Sequence, residues 1–279
     1  MHVWTETQRR RLVELEAGLE QLDRRFSNPV ERDKDFQVME KELTRRGLAH
    51  LEDLRLHRRQ PALCQLEYEL VSALIRAGFC QVTTPIIMSK AFLKRMGIGP
   101  DHPLTAQVYW LDNNQCLRPM LAPHLYAVLK DLLRLWPAPV SIFEVGSCFR
   151  KESKGAEHSS EFTMLNLVQM GLAEADRQAR LEEYIAVVMK AAGIDNYRLV
   201  MEISEVYGET IDVVAGENDL EVGSAAMGPL PMDDAWRVTV PWVGVGFGLE
   251  RLLMAGSGSS NLRRHARSLS YLDGIRLNI

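Results

Sequence analysis

Three glycines at alternate positions, Gly244-Val245-Gly246-Phe247-Gly248, run straight into Leu249-Glu250-Arg251 and constrain this chain more than any other stretch. Glycine at every second position lets backbone approach a ligand where a side chain would collide. The run is not a Walker loop, which needs Gly-Lys-Ser/Thr, and its GxGxG spacing is not the GxGxxG of a dinucleotide fingerprint. Standing alone it is as readily a strand bulge or a helix-packing feature. It gains meaning from Arg150-Lys151-Glu152 and His158 to Phe162 earlier in the chain. Arg150 and Arg251 offer planar cations for phosphates or an aromatic base, Phe162 a flat face, and Glu152 an acceptor for an exocyclic amine. Arg-x-Glu in a hairpin, a carboxylate on a strand at Glu221, then GxGxGxxR: in that order these are the parts that hold one nucleotide.

Composition sets the bounds. The 279 residues, 46% hydrophobic and 25% charged, suit a folded domain with a sizeable core. No apolar run approaches the roughly 18 residues of a membrane span, and the start Met1-His2-Val3-Trp4-Thr5-Glu6 does not read as a secretory leader. A cytoplasmic location follows as the expectation, with no membrane partner. Cys64, Cys80, Cys116 and Cys148 lack CxxC spacing and read as reduced core residues rather than a zinc site. The net charge of −4 argues against a uniformly basic nucleic-acid binder. Clusters such as Arg9-Arg10-Arg11 and Arg263-Arg264-His265-Ala266-Arg267 can still neutralise phosphates locally, although any one cluster is as readily a solvated helix face.

Along the chain, Thr5 with Gln8 predicts a capping box, and Leu12, Leu15, Leu19 and Leu22 form one helical stripe. Asn28-Pro29 reads as the cap and first turn of a second helix that ends at Gly47. Residues 1–59 are thus expected to be a small helical module and 60–279 the catalytic domain. A helix from Pro61 to Ala77 with Leu63, Leu66, Leu70 and Leu74 on one face precedes the β-prone run Phe79 to Pro85. Tyr109 to Pro119 suggests a hairpin, Pro123 to Leu135 a helix, Val140 to Arg150 with Phe162 to Gln169 an antiparallel pair, and Glu174 to Ala192 a helix. Three more strand-like runs, the glycine strand and a helix bearing Arg251 complete an α+β pattern of helices on an antiparallel sheet.

These features resemble motifs 1, 2 and 3 of the class II aminoacyl-tRNA synthetases. Leu117 to Pro123, Arg150 to Ser153, Glu161 to Asn166, Val206-Tyr207-Gly208 and Ser268 to Gly274 closely resemble the pyrrolysyl-tRNA synthetase family in particular. The helical front resembles the catalytic subunit found where that family's N-terminal tRNA-binding domain is a separate protein or is absent. Departures are His124 for the usual Asn, Ser159-Ser160 for Leu-Glu, and an added Glu217-Asn218.

The resemblance implies ATP and Mg²⁺ as cofactors. Arg150 would meet the α-phosphate, Glu152 the adenine amine and His158 the terminal phosphates, with adenine between Phe162 and Arg251. Glu221 and Ser224 would hold Mg²⁺ through oxygen; on spacing alone they are a strand-surface acid and a packed small residue. Ala122, Leu125, Tyr126, Leu129, Val168, Ala226, Trp242 and Gly244 would line a deep apolar chamber. Asn166 would read the side-chain carbonyl of a lysine derivative, and Tyr207 would cap the chamber. Arg9, Arg10 and Arg11 would contact tRNA, expected to carry a CUA anticodon. A homodimer built on motif 1 and a separate N-terminal tRNA-binding protein complete the implied partners. Two other readings stay open at this point: another class II amino-acid-activating ligase, and a catalytically silent regulatory paralogue.

Overall fold

The computed structural model describes residues 1–151, 159–216, 219–258 and 262–278. The chain forms two compact units, Met1–Pro61 with Ser268–Ile279, and Ala62–Arg267.

In the first unit, Thr5 caps α1 (Glu6–Glu14) through the expected reciprocal pair with Gln8. The single stripe over Leu12 to Leu22 is two helices. Glu16 turns the chain at φ 69°, and α2 (Leu19–Leu22) starts afresh after Gly18. Asn28 caps α3 (Pro29–His57), with its side chain accepting from the Glu31 amide. Gly47 does not end α3: buried in mid-helix, it lets the helix run on to an Arg58 cap at φ 51°. A helical glycine costs only about 1 kcal/mol relative to alanine, less than the packing around it supplies. Trp4, Leu12, Leu15, Phe26, Met39 and Leu43 form this unit's core. The short hairpin Tyr271–Leu272/Ile275–Arg276 belongs to it too, and Asp273 beside the hairpin turn accepts from or pairs with His50 at 2.8 Å.

The second unit opens with α4 (Ala62–Arg76), whose Leu66, Leu70 and Leu74 are buried, each worth about 1.5–3 kcal/mol. Gly78, at φ 89°, turns the chain into β1 (Cys80–Gln81). β2 (Ile87–Ser89), α5 (Lys90–Arg95), α6 (Pro103–Gln107) and β3 (Gln115–Leu117) follow. β3 pairs with β2, while the expected partner segment meets it only at the Trp110–Cys116 bridge. The Asp112 side chain accepts from the Asn114 and Gln115 amides and closes a turn, but too tightly for a ladder to grow. After α7 (Ala122–Leu135) come β4 (Val140–Phe149), β5 (Glu161–Met170), α8 (Arg177–Ala191), β6 (Tyr197–Ser204), β7 (Gly208–Ala215), β8 (Leu220–Gly228), β9 (Trp242–Gly248) and α9 (Leu249–Ser257).

The main sheet has the order β1-β4-β5-β9-β8-β7-β6, antiparallel except for the β1–β4 pair. Strand periodicity divides its two faces. Leu165, Leu167, Val243, Val245 and Phe247 pack under α4, α8 and α9. Val168, Met170, Ala226 and Trp242 face the other way, toward α7. Cys116 and Cys148 are buried, and burial pushes their thiols up to about 11 and about 12. Cys64 and Cys80 are exposed, so they are not core residues as expected; their helix and strand turn those positions outward.

Candidate active site

On β9 the odd positions, Val243, Val245 and Phe247, enter the core, so Gly244, Gly246 and Gly248 fall together on the opposite face. That face is thereby stripped of side chains and floors a cavity of about 520 Å³. The register builds a row across it: Asn166 of β5 lies opposite Gly246, which lies opposite Ser224 of β8, which lies opposite Asp212 of β7. The next row is Val168, Gly244 and Ala226. Glycine at 246 leaves open the space between an amide and a hydroxyl.

Strand β8 carries a local irregularity that decides which side chains reach the cavity. Val213 pairs with Gly223 and Val214 with Glu221, so Val222 is an extra, unmatched residue. A regular strand would send Glu221 and Ser224, three apart, to opposite faces. The bulge brings both to the cavity while Val222 and Ala225 both enter the core. Gly223 is required at this point because a Cβ there would lie 2.5 Å from the Phe247 ring.

At the polar end, the Arg150 guanidinium stands 5.3 Å from the Phe162 ring centroid, and its Nε donates to the Pro119 carbonyl at 2.9 Å. Arg251, on the first turn of α9, donates to the Glu221 carboxylate and carbonyl, both at 3.1 Å. Beneath it the buried Glu250 carboxylate accepts from the Thr163 amide at 2.8 Å; burial raises its pKa and that hydrogen bond only partly opposes the rise. Ser224 Oγ donates to Asp212 at 2.6 Å.

The apolar end is walled by Ala122, Leu125, Tyr126 and Leu129 of α7 with Val168, Ala226 and Trp242. Its rigidity comes from Asp233, only 1% exposed, which accepts from Tyr126 Oη at 2.8 Å, Trp242 Nε1 at 2.6 Å and the Leu230 amide at 2.7 Å. Burial holds the Tyr126 phenol well above its usual range, reinforced by Tyr207 and Asp233. Gly228 makes room for Trp242, since a Cβ there would sit 1.8 Å from Nε1. Asn166 Nδ2 donates to the Val245 carbonyl at 2.9 Å and to the Leu167 carbonyl at 3.5 Å, which anchors the amide at the cavity. Tyr207, in the turn between β6 and β7, lines the mouth; burial raises its phenol pKa too, and Asp233 adds to it.

The cavity therefore gathers Arg150, Phe162, Asn166, Val168, Tyr207, Glu221, Ser224, Ala226, Trp242, Gly244 and Arg251 with the four α7 residues, all within Ala62–Arg267. Glu152 and His158 lie outside the described residues. Arg9, Arg10 and Arg11 lie in the first unit. Arg9 and Arg10 are exposed, whereas Arg11 is partly buried and donates to Glu40 of α3 at 2.8 Å. Asp212 and Asp233 carry no motif; finding them needs the strand register and the burial of a loop carboxylate, neither of which is a local signal.

An antiparallel sheet whose glycine strand feeds an arginine-bearing helix, facing a hairpin arginine and phenylalanine, is the arrangement that defines the class II synthetase core. The family model described as "tRNA synthetases class II core domain (F)" matches residues 55–273. Two solved structures of pyrrolysyl-tRNA synthetase from Desulfitobacterium hafniense are similar to the whole chain. One is 52% identical, covering 99% of both chains at a TM-score of 0.94. The other is 51% identical, covering 99% of this chain and 96% of that one at a TM-score of 0.91. The chain belongs to the class II aminoacyl-tRNA synthetases and, among them, to the pyrrolysyl-tRNA synthetase family. Among the described residues no helix is long and apolar enough to cross a membrane.

Proposed function

We propose that this enzyme activates pyrrolysine with ATP and ligates it to its cognate tRNA through an aminoacyl-adenylate. The observation that carries this reading is one cavity with two chemically distinct ends, joined across the bare β9 glycines. The apolar end suits a long side chain with a bulky ring, and the Asn166 amide on the cavity wall suits a side-chain carbonyl. Free lysine lacks that carbonyl and would bury a charge at several kcal/mol.

At the other end, adenine would lie between Phe162 and Arg251, with Arg251 leaving Glu221 to do so. Arg150 would hold the α-phosphate; Glu152 and His158 keep their proposed roles toward the adenine amine and terminal phosphates. Glu221 and Ser224 present oxygen donors only, the set a hard cation prefers, so the residues fit Mg²⁺. Mg²⁺ when bound supplies charge neutralisation of phosphate oxygens. The substrate carboxylate is already a nucleophile, so its in-line attack on the α-phosphorus, which breaks the bond to the bridging oxygen and expels pyrophosphate, needs no side-chain base. Arg150 and the chamber walls hold the two reactants together, and such placement is worth about 7–11 kcal/mol. The terminal ribose hydroxyl of tRNA then attacks the adenylate carbonyl, forming the ester and releasing AMP, whose phosphate can take the hydroxyl proton.

Amino-acid-dependent ATP–pyrophosphate exchange, run with pyrrolysine, lysine and an amino-acid panel, tests the reading; exchange with another amino acid and none with pyrrolysine overturns it. Asn166→Ala is expected to raise the pyrrolysine KM at least tenfold and to admit aromatic amino acids, because the polar demand goes while the apolar walls stay. Full pyrrolysine use with no new substrate in that variant means the carbonyl site lies elsewhere.

For tRNA, the helical module of residues 1–59 is proposed to grip the polyanion through Arg9, Arg10 and Arg11. Arg11 also ties α1 to α3 through Glu40, so the informative change is Arg9→Ala with Arg10→Ala. Charging should weaken severalfold and lose salt sensitivity, while exchange stays constant. Unchanged charging would make this a solvated helix face. Homodimerisation on the α4 side is supported by the exposed Tyr68 (64%) and Ile75 (54%), two turns apart on one face. A separate N-terminal tRNA-binding protein is proposed only as an additional partner, and the cytoplasm as the site of action.

A further inference from the structure

We propose that Asp212 is a positioning residue for the cation end of this site, acting on Ser224; the proposal rests on the nucleotide reading above. The two residues are direct partners across β7 and β8, and Ser224 Oγ donates to Asp212 Oδ1 at 2.6 Å. The carboxylate oxygen accepts, so the hydrogen of this bond is the serine's. A serine hydroxyl has one hydrogen and two lone pairs. With its hydrogen fixed on Asp212, the oxygen is locked as an acceptor toward the cavity. A free hydroxyl would instead rotate, turning its hydrogen toward a cation for part of the time.

Three further observations support the assignment. Ile211 and Val213 enter the core on either side of Asp212, so the strand itself holds the carboxylate on the cavity face. The β8 bulge places Glu221 on the same face as Ser224, so carboxylate and hydroxyl line one cavity. Glu221 is held by Arg251, whereas the side-chain partner of Asp212 among the described residues is Ser224, giving each acid a separate task. Groups that orient a metal ligand in this way change cation affinity about 10- to 100-fold when removed.

The test measures Mn²⁺ binding to the full chain with ATP present, by electron paramagnetic resonance. Asp212→Ala is expected to raise the Mn²⁺ Kd about 10- to 100-fold. Asp212→Asn, which keeps an acceptor oxygen, should recover part of the loss. The double variant with Ser224→Ala should bind no worse than Ser224→Ala alone, because Asp212 acts only through that hydroxyl. In exchange assays the half-saturating Mg²⁺ should rise while the amino-acid KM at saturating Mg²⁺ holds, a split that general unfolding would not produce. Unchanged Mn²⁺ affinity in a folded Asp212→Ala protein overturns the proposal, as do additive losses in the double variant, which would make Asp212 an independent ligand. Glu221→Gln serves as the reference. If it too leaves Mn²⁺ affinity unchanged, the nucleotide reading fails; if it alone weakens binding, only the role of Asp212 fails.

Discussion

Replacing Arg251 with alanine is expected to lower ATP–pyrophosphate exchange at least a hundredfold and leave the fold unaltered. The two halves of this expectation come from different physics. Arg251 pairs with Glu221, but the side chains are 27% and 49% exposed. Exposed pairs of this kind contribute about 0–1 kcal/mol, so the melting temperature should scarcely move. Against the nucleotide the same guanidinium is proposed to lie on adenine in a cleft where fixed charge is preorganised. Loss of one such group costs about 2.7–4 kcal/mol, or 10²–10³ in rate. Arg251→Lys keeps the charge but not the flat face, and should fail nearly as badly. Exchange near the parent rate in either folded variant, with melting measured alongside, would sink the assignment of Arg251 to adenine.

The parts of this fold that were legible in the sequence are those with local causes. Thr5 and Asn28 announce helix starts because a cap satisfies amides within three residues of itself. The β4–β5 pair shows as two β-prone runs around a polar loop. The glycine run announces an uncovered strand face because alternation alone decides which face is bare. What stayed hidden depends on partners distant in the chain. A helix through Gly47 looks interrupted until the packing of α3 is known. The β8 bulge, on which the joint placement of Glu221 and Ser224 depends, appears only in the register with β7. The return of residues 268–279 to the first unit has no local marker either. Asp233 reads as a loop acid, and only burial with three donors makes it the brace of the chamber. Resemblance supplied the chamber residues; periodicity alone would have left most of them as core.

Glu144→Leu is expected to destabilise the protein by about 3–5 kcal/mol, the largest stability loss from any single change considered. Arg118 and Glu144 are 3% and 1% exposed, with Arg118 Nη1 2.7 Å from Glu144 Oε1. The carboxylate also accepts from the Thr84 amide at 3.0 Å and hydroxyl at 2.7 Å, while Arg118 Nε donates to the Ser147 carbonyl at 2.8 Å. Thr84 lies between β1 and β2, Arg118 just before α7, and both acceptors, Glu144 and Ser147, on β4, so one network fastens three segments of the second unit. Gly146 leaves room for it, as a Cβ there would lie 2.1 Å from Arg118 Nη2. His124, bonded to Thr84 Oγ1 at 3.2 Å, has its pKa lowered by burial and by the neighbouring Arg118, with Glu144 opposing. Removing Glu144 leaves a buried guanidinium with its carbonyl and hydroxyl acceptors but without its counter-charge, whereas removing both charges does not. Arg118→Met with Glu144→Leu should therefore recover much of the loss, a non-additivity that marks a buried pair. Denaturant midpoints for the two single variants and the double measure it, and a loss below about 1 kcal/mol for Glu144→Leu would show that the network is not what holds these segments together.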